Sequence, residues 1–150
     1  MSLKERLQHD LHDAMRAHDK VRAGTLRMAL ASVTTAEVAG DTARQLTDDE
    51  VLKVIAKEAK KRKEAHAAYA GAGRPELAAT EQAELEILQD YLPTELDDTE
   101  LEEIVAAAIA EVGASSMAQM GQVMKAAQVA AAGRADGGRI AAVVRGALGG

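Results

Sequence analysis

Apolar residues recur along the chain every three or four positions, which is the period of an amphipathic α-helix. The first such stripe places Leu3, Leu7, Leu11 and Met15 on one helical face. Glycine and proline interrupt the pattern between successive stripes, as they do at helix ends. The pattern predicts an all-α protein with about seven helices, at roughly 3–17, 20–38, 48–70, 75–91, 98–112, 117–132 and 137–148.

Capping boxes mark where several of these helices begin. In each box a Ser, Thr or Asp precedes a Glu or Gln by three residues, so that the two side chains accept hydrogen bonds from otherwise free N–H groups. The pairs are Ser2 with Glu5, Thr47 with Glu50, Asp97 with Glu100 and Ser116 with Gln119. Leu46 and Leu96 precede two of the caps and predict hydrophobic staples with Val51 and Leu101.

The best candidate for a domain boundary is the short stretch 92–96. Pro93 ends the preceding helix there, because the residue before a proline is driven out of the helical conformation. We therefore predict a four-helix N-terminal domain with long helices over 1–92, and a three-helix C-terminal domain over 93–150.

Composition supports the helical interpretation and excludes several classes of protein. The chain contains 33 alanines, the residue with the smallest helix penalty, and aromatic residues make up only 1% of it. It has no cysteine, so disulfides, thiol nucleophiles and cysteine-ligated metals are excluded. No apolar run is long enough for a membrane span, and the N-terminus is charged from its fourth residue. We expect a soluble cytoplasmic protein without a membrane partner.

The formal net charge of −6 excludes a globally basic nucleic-acid-binding protein but conceals a basic segment. Six bases and one acid lie in 51–63, and Lys53, Lys57 and Lys60 fall on the helical face opposite the apolar stripe. These lysines are candidates for contacts with a tRNA phosphate backbone. The alternative is a solvated face beside an acidic neighbouring helix, since 76–90 holds five acids and no bases.

Arg62 differs from the neighbouring lysines because it lies on the apolar stripe of its helix. Glu81 and Glu84 lie on the apolar stripe of the next helix, which a short glycine-rich turn makes an antiparallel neighbour. A guanidinium on a packed face needs a carboxylate partner. We therefore predict a structural ion pair of Arg62 with Glu81 or Glu84, and the alternative is an arginine with a functional role.

A second cluster of cations lies near the end of the chain. Its members are candidates for contacts with phosphate and are Lys125, Arg134, Arg139 and Arg145. Asp136 fits the N-cap of the last helix, so its carboxylate occupies the helix N–H groups and leaves the side chains as the better phosphate ligands. In the same region Met117, Met120 and Met124 follow helical spacing and are expected to fill the core. Gly121 predicts close approach of a neighbouring backbone.

Catalytic patterns are absent from the sequence. It contains neither a P-loop nor a G-x-G-x-x-G motif. The spacing of His9, His12 and His18 matches no familiar metal site, and none of the four serines lies in a nucleophile motif. We expect no catalytic residue, no metal and no cofactor.

Taken together, the short motifs resemble the YqeY-like family, from about residue 20 to the end. They are Leu26 and Arg27 with Glu37, LTDDEV at 46–51, KRKE at 61–64, GRPEL at 73–77, Glu81, YLP at 91–93, MGQVM at 120–124 and GRADG at 133–137. That family consists of stand-alone relatives of the C-terminal region of the B subunit of glutamyl/aspartyl-tRNA amidotransferase. The resemblance implies a long-helix N-terminal domain followed by a small three-helix domain.

The resemblance also bears on function. In the amidotransferase this region contacts tRNA, while amide transfer belongs to other domains. It therefore implies tRNA binding, or association with a tRNA-processing enzyme or amidotransferase complex, and the family label of carbon–nitrogen ligase with glutamine as amide donor describes no chemistry of this chain. The alternative is a helical protein-interaction module that binds no nucleic acid. The sequence predicts no oligomeric state.

Overall fold

The computed structural model describes residues 1–149, which form seven α-helices and one short 3₁₀ turn, with no strand among them. The elements are α1 Leu3–Arg16, α2 Lys20–Glu37, α3 Asp48–Gly71, α4 Pro75–Gln89, α5 Asp98–Val112, the 3₁₀ turn Met117–Gln119, α6 Met120–Ala131 and α7 Gly137–Gly149. The predicted all-α fold is confirmed.

The helix starts depend on side-chain caps, and three of the four predicted capping boxes form. Ser2, Thr47 and Asp97 each accept a hydrogen bond from the backbone three residues on, and the reciprocal bond is present in each case. The fourth prediction is wrong, because the Ser116 side chain makes no capping bond. The Gln119 side chain instead accepts from the Ser115 N–H at 2.8 Å, and a 3₁₀ turn precedes α6.

The described chain forms two compact units, Met1–Leu92 and Pro93–Gly150. In the first unit, α3 and α4 make an antiparallel hairpin whose turn contains Gly73 in the left-handed conformation, with φ +72°. Pro75 occupies the first turn of α4, where its missing N–H costs nothing. The largest buried side chains of this unit are Leu7, Leu26, Val33, Val51, Ile55 and Leu88. The division into a four-helix domain over 1–92 and a three-helix domain over 93–150 stays a prediction.

The second unit has its own core, built by α5, α6 and α7. Leu96 and Leu101 are both buried in it, as expected for a hydrophobic staple at the start of α5. Met120 and Met124 pack against this core, whereas Met117 is exposed and does not fill it. The expectation for Gly121 is wrong, because no atom lies within 4 Å of the position that a Cβ would take.

No single helix within 1–149 is long and apolar enough to cross a membrane. Asp98–Val112 and Met117–Ala131 reach the required length and composition only as a pair, and they are bent by 94° at the break between them. Both helices bury residues in the core of the second unit.

Candidate functional site

The exposed side of α3 carries Lys53, Lys57 and Lys60, which we call the lysine stripe. The opposite side of the helix buries Val51 and Ile55 in the core of the first unit. Because a helix rises about 1.5 Å per residue, the first and last of these lysines are separated by about 10 Å along the axis. The stripe is thus a row of cations at intervals of about 6 Å and about 4.5 Å along the axis, on a solvent-facing helix surface.

On its inner side, α3 places Arg62 in a network of carboxylates. Arg62 Nε lies 2.8 Å from Glu84 Oε2 and 3.7 Å from Glu81 Oε2, and Arg62 Nη2 lies 3.5 Å from Glu58 Oε2. The Arg62 side chain is only 13% exposed. The structure therefore places Arg62 beside both of its predicted partners, Glu81 and Glu84, and adds Glu58 as a third acid. The contribution of Arg62 to stability stays a prediction.

Glu58 is the most deeply buried acid of this network, and its carboxylate is shared among three partners. Besides Arg62, Ser32 Oγ donates a hydrogen bond to Glu58 Oε1 at 2.9 Å, and Lys61 Nζ lies 3.2 Å from the same oxygen. Ser32 belongs to α2, so the network joins three helices. A helical wheel places Glu58 beside Arg62, but it does not show that Ser32 of α2 lies over the Glu58 carboxylate.

Tyr91 forms a second buried polar network in the first unit. Its hydroxyl donates a hydrogen bond to the Asp10 carboxylate, and the Arg6 guanidinium lies 4.7 Å from the centre of its ring. Arg22 Nη2 donates to the same hydroxyl at 3.5 Å. Burial, and then the neighbouring Asp10 carboxylate, raises the pKa of Tyr91. The Tyr91 hydroxyl therefore keeps its proton and donates a hydrogen bond to Asp10, which connects the end of α4 to α1.

Charged groups also fasten the connection between α2 and α3. Glu37 is buried and accepts hydrogen bonds from Lys4 Nζ at 2.8 Å and from the Leu46 N–H at 3.4 Å. The Lys4 ammonium is the main cause that lowers the pKa of Glu37. Arg44 forms a two-pronged ion pair with Glu50, which lowers the pKa of that carboxyl to about 2.

In the second unit, two of the predicted phosphate contacts are used internally. Arg134 Nε donates to Thr94 O at 2.8 Å, and Arg139 donates from Nη1 to Leu96 O at 2.6 Å and from Nη2 to Asp98 at 2.8 Å. The Leu96 N–H also donates to the backbone carbonyl of Arg134 at 2.8 Å. These contacts fasten the segment 94–98 to the loop before α7, through Arg134, and to the first turn of α7, through Arg139.

The other two cations of that cluster differ in their surroundings. Lys125 on α6 and Arg145 on α7 are exposed, and among residues 1–149 neither side chain makes a hydrogen bond or an ion pair. The structure therefore brings Arg134 and Arg139 together at the segment 94–98 and leaves the remaining pair at the solvent. Whether any of the four contacts phosphate stays a prediction.

One group of side chains within the described residues has the spacing of metal ligands. His9, Asp10 and Asp13 on α1 each offer an atom within 4.8 Å of the others. Asp10 already accepts the Tyr91 hydroxyl, and Asp13 accepts a hydrogen bond from Arg16 at 3.1 Å. The group is a charged patch on a helix surface whose carboxylates are already engaged with donors of the chain.

Comparison with known proteins places the chain in a family. The family model described as Yqey-like protein matches residues 4–148. Altered inheritance of mitochondria protein 41, mitochondrial, from Pyrenophora tritici-repentis is 35% identical over 126 residues, which cover 79% of this chain and 67% of that protein. A Schizosaccharomyces pombe protein named as uncharacterized is 32% identical over 93 residues, which cover 61% of this chain and 73% of that protein. The match to the family extends over nearly the whole chain, which therefore belongs to the YqeY-like proteins.

Proposed function

We propose that this protein is a cytoplasmic, non-catalytic accessory protein that binds tRNA or accompanies a tRNA amidotransferase. Membership of the YqeY-like family, together with the resemblance to the tail of the amidotransferase B subunit, supports this class of function. The observation that carries the proposal is the lysine stripe, a row of exposed cations on the longest helix of the chain.

The lysine stripe suits a phosphate backbone better than it suits bases. Each lysine that neutralises a phosphate releases counterions and adds affinity that declines as salt rises. Recognition of unpaired bases generally uses exposed aromatic rings. The sequence has two tyrosines and no phenylalanine or tryptophan, and Tyr91 is buried while Tyr69 is half-buried. Contacts to phosphates and to the shape of the RNA are therefore the mode of binding that these residues support.

The second unit contributes less to this proposal than the first. Lys125 and Arg145 are exposed and extend the set of cations, but Arg134 and Arg139 would have to release the segment 94–98 before they bound phosphate. The stretch 95–112 also holds seven acids and no bases, and the negative charge of these acids repels RNA. We place the main contact on the lysine stripe.

The same observations favour the alternative function, a helical module that binds proteins. Internal use of Arg134 and Arg139 leaves the second unit with few free cations, and the acids of α5 suit a basic protein partner better than an RNA. The two functions differ in what the lysine stripe does, so the test is directed at it.

The test is a titration of the full chain against total tRNA, by filter binding, at about 50 mM and about 200 mM salt. We expect saturable binding at the lower salt and a steep loss at the higher. A variant with Lys53→Gln, Lys57→Gln and Lys60→Gln should reduce the slope of log affinity against log salt by about 3, one for each lost phosphate contact.

The matched control replaces three exposed cations that lie off the stripe, with Lys20→Gln, Arg27→Gln and Arg74→Gln. Both variants lose the same charge, so equal losses of affinity would mean that general charge and not the stripe binds RNA. Absence of saturable binding by the parent chain at about 50 mM salt would contradict tRNA binding and support the protein-interaction module.

A further inference from the structure

The second unit contains an open groove between α5 and α7, with a volume of about 520 Å³. The residues that line it are mostly small or apolar and are Glu102, Val105, Ala106, Ile109, Val143, Gly146 and Ala147. Glu102 is the one charged residue among them. The groove is therefore an apolar channel on the surface with a single carboxylate on its wall.

The surroundings of the groove are negatively charged. Besides Glu102, the exposed acids of α5 include Glu103 and Asp98, whose side chain is 93% exposed. The nearest cation that the structure pairs with α5 on this side is Arg139, and it is already engaged with Asp98 and Leu96 O. An incoming partner thus meets apolar side chains beside the exposed carboxylate of Glu102, for which no ion pair is found among the described residues, while Asp98 is already paired with Arg139.

Gly146 adds an observation that packing within the unit does not explain. It lies inside α7, where glycine costs about 1 kcal/mol relative to alanine. Nothing lies within 4 Å of the position that its Cβ would take, so no neighbouring atom requires a glycine there. Because Gly146 has no side chain, an incoming side chain can approach the backbone of α7 more closely at this point of the groove.

We infer that this groove binds a basic amphipathic helix of a partner protein. Apolar side chains spaced i and i+4 on that helix would enter the channel, and one of its lysines or arginines would meet Glu102. The negative charge of α5 makes the groove specific for a basic helix, because an acidic helix with the same apolar face would be repelled. This inference is independent of RNA binding, because it uses residues outside the lysine stripe.

The test uses the full chain and two synthetic peptides of about 15 residues. Both peptides carry the same leucine stripe, and the remaining positions are lysine in one and glutamate in the other. Binding is followed by backbone amide chemical shifts. We expect the lysine peptide to bind saturably below about 1 mM, with the shifts centred on Val105, Ile109, Val143 and Ala147, and the glutamate peptide to bind at least about tenfold more weakly.

Variants assign the binding to the groove. Gly146→Leu places a larger side chain in the channel, at a position where a Cβ meets nothing within 4 Å, and should weaken the lysine peptide about tenfold. Gly121→Leu is the matched control, because that glycine also lies in a helix of the second unit with open space above it and does not line the groove. It should leave the affinity within about twofold. Glu102→Lys should weaken the lysine peptide and strengthen the glutamate peptide.

Four outcomes would overturn the inference. They are equal binding of both peptides, shifts centred outside the groove, no saturation below about 1 mM, and self-association of the chain that Gly146→Leu abolishes. The last would assign the groove to a second copy of this chain. Gly146→Leu should also leave tRNA binding unchanged, so failure here and failure of the proposed RNA contact are separate results.

Discussion

The two units use arginine in different ways. In the first unit, Arg62 is buried and neutralises the carboxylates of Glu58 and Glu84. In the second unit, Arg134 and Arg139 are partly exposed and donate to the backbone carbonyls of the segment 94–98. In both units the guanidinium lies within 4 Å of more than one acceptor oxygen, an arrangement that its planar fork suits better than a lysine ammonium does. Counting basic residues therefore overestimates the cations that are free for a partner.

The acids differ between the units as well. Glu81 and Glu84 of the first unit face Arg62, so part of the negative charge of α4 is neutralised internally. The acids of α5 in the second unit, such as Glu102 and Glu103, face the solvent. The first unit thus presents an exposed row of lysines and the second an exposed set of carboxylates, a difference that the net charge of −6 hides.

The largest expected effect is on the buried network of the first unit. Arg62→Ala should lower the free energy of unfolding by about 3 kcal/mol, because it leaves Glu81 and Glu84 without their counter-charge and Glu58 with Lys61 alone. Urea unfolding followed by circular dichroism measures the loss. Arg27→Ala, at an exposed arginine of α2, is the control and should change stability by less than about 0.5 kcal/mol. Equal effects of the two substitutions would show that Arg62 is not structural.

Removal of the arginine contacts in the second unit should have a smaller effect. Arg139→Ala leaves Leu96 O and Asp98 without their donor, and we expect a loss of about 1 kcal/mol because the side chain is partly exposed. Thermal unfolding of the full chain measures it, with Arg145→Ala as the exposed control on the same helix. Should Arg145→Ala prove the more destabilising, the contrast between engaged and free arginines in this unit fails.

A third comparison lies within the second unit, between a cap that forms and one that does not. Asp97→Ala should cost about 1 kcal/mol, because its side chain accepts from the Glu100 N–H at 2.7 Å. Ser116→Ala should cost less than about 0.5 kcal/mol, because its side chain makes no capping bond. The midpoints of urea unfolding of the two variants test this prediction. A loss of about 1 kcal/mol or more for Ser116→Ala would contradict the structure of the turn before α6.

The smallest effect concerns acid stability in the first unit. The Arg44 side chain, and then the Thr47 N–H, hold the pKa of Glu50 at about 2 rather than 4.5. A carboxyl with a lowered folded pKa stabilises the protein above its unfolded pKa, and this contribution is lost as the pH falls through the folded pKa. Between pH 4.5 and about 2, the parent chain should therefore lose Tm more steeply than Arg44→Ala. Parallel Tm curves would refute the assignment.

Much of the fold is legible in the sequence because the signals for helices are local. The capping boxes at Ser2, Thr47 and Asp97 depend on residues three apart, and Pro75 needs no partner to begin a helix. The failure at Ser116 shows the limit of such signals. The same residue spacing permits a 3₁₀ turn, in which Gln119 bonds to the backbone of a different residue.

The candidate site is less legible, since its contacts depend on residues far apart in the sequence. Arg62 is recognisable because it interrupts an apolar stripe, and the acids opposite it follow from the hairpin. The acceptors of Arg134 and Arg139 are backbone carbonyls at 94 and 96, about forty positions away, and a carbonyl is the same in every residue. No sequence pattern therefore distinguishes these arginines from the exposed Arg145.

The enclosure of Tyr91 gives the chain a built-in optical reporter. Both tyrosines lie in the first unit and the chain has no tryptophan, so its ultraviolet emission follows that unit alone. Circular dichroism at short wavelength, by contrast, sums the helices of both. On heating, superimposable traces would mean that the whole chain melts cooperatively. Divergent traces would reveal a second melting event that leaves the phenols undisturbed.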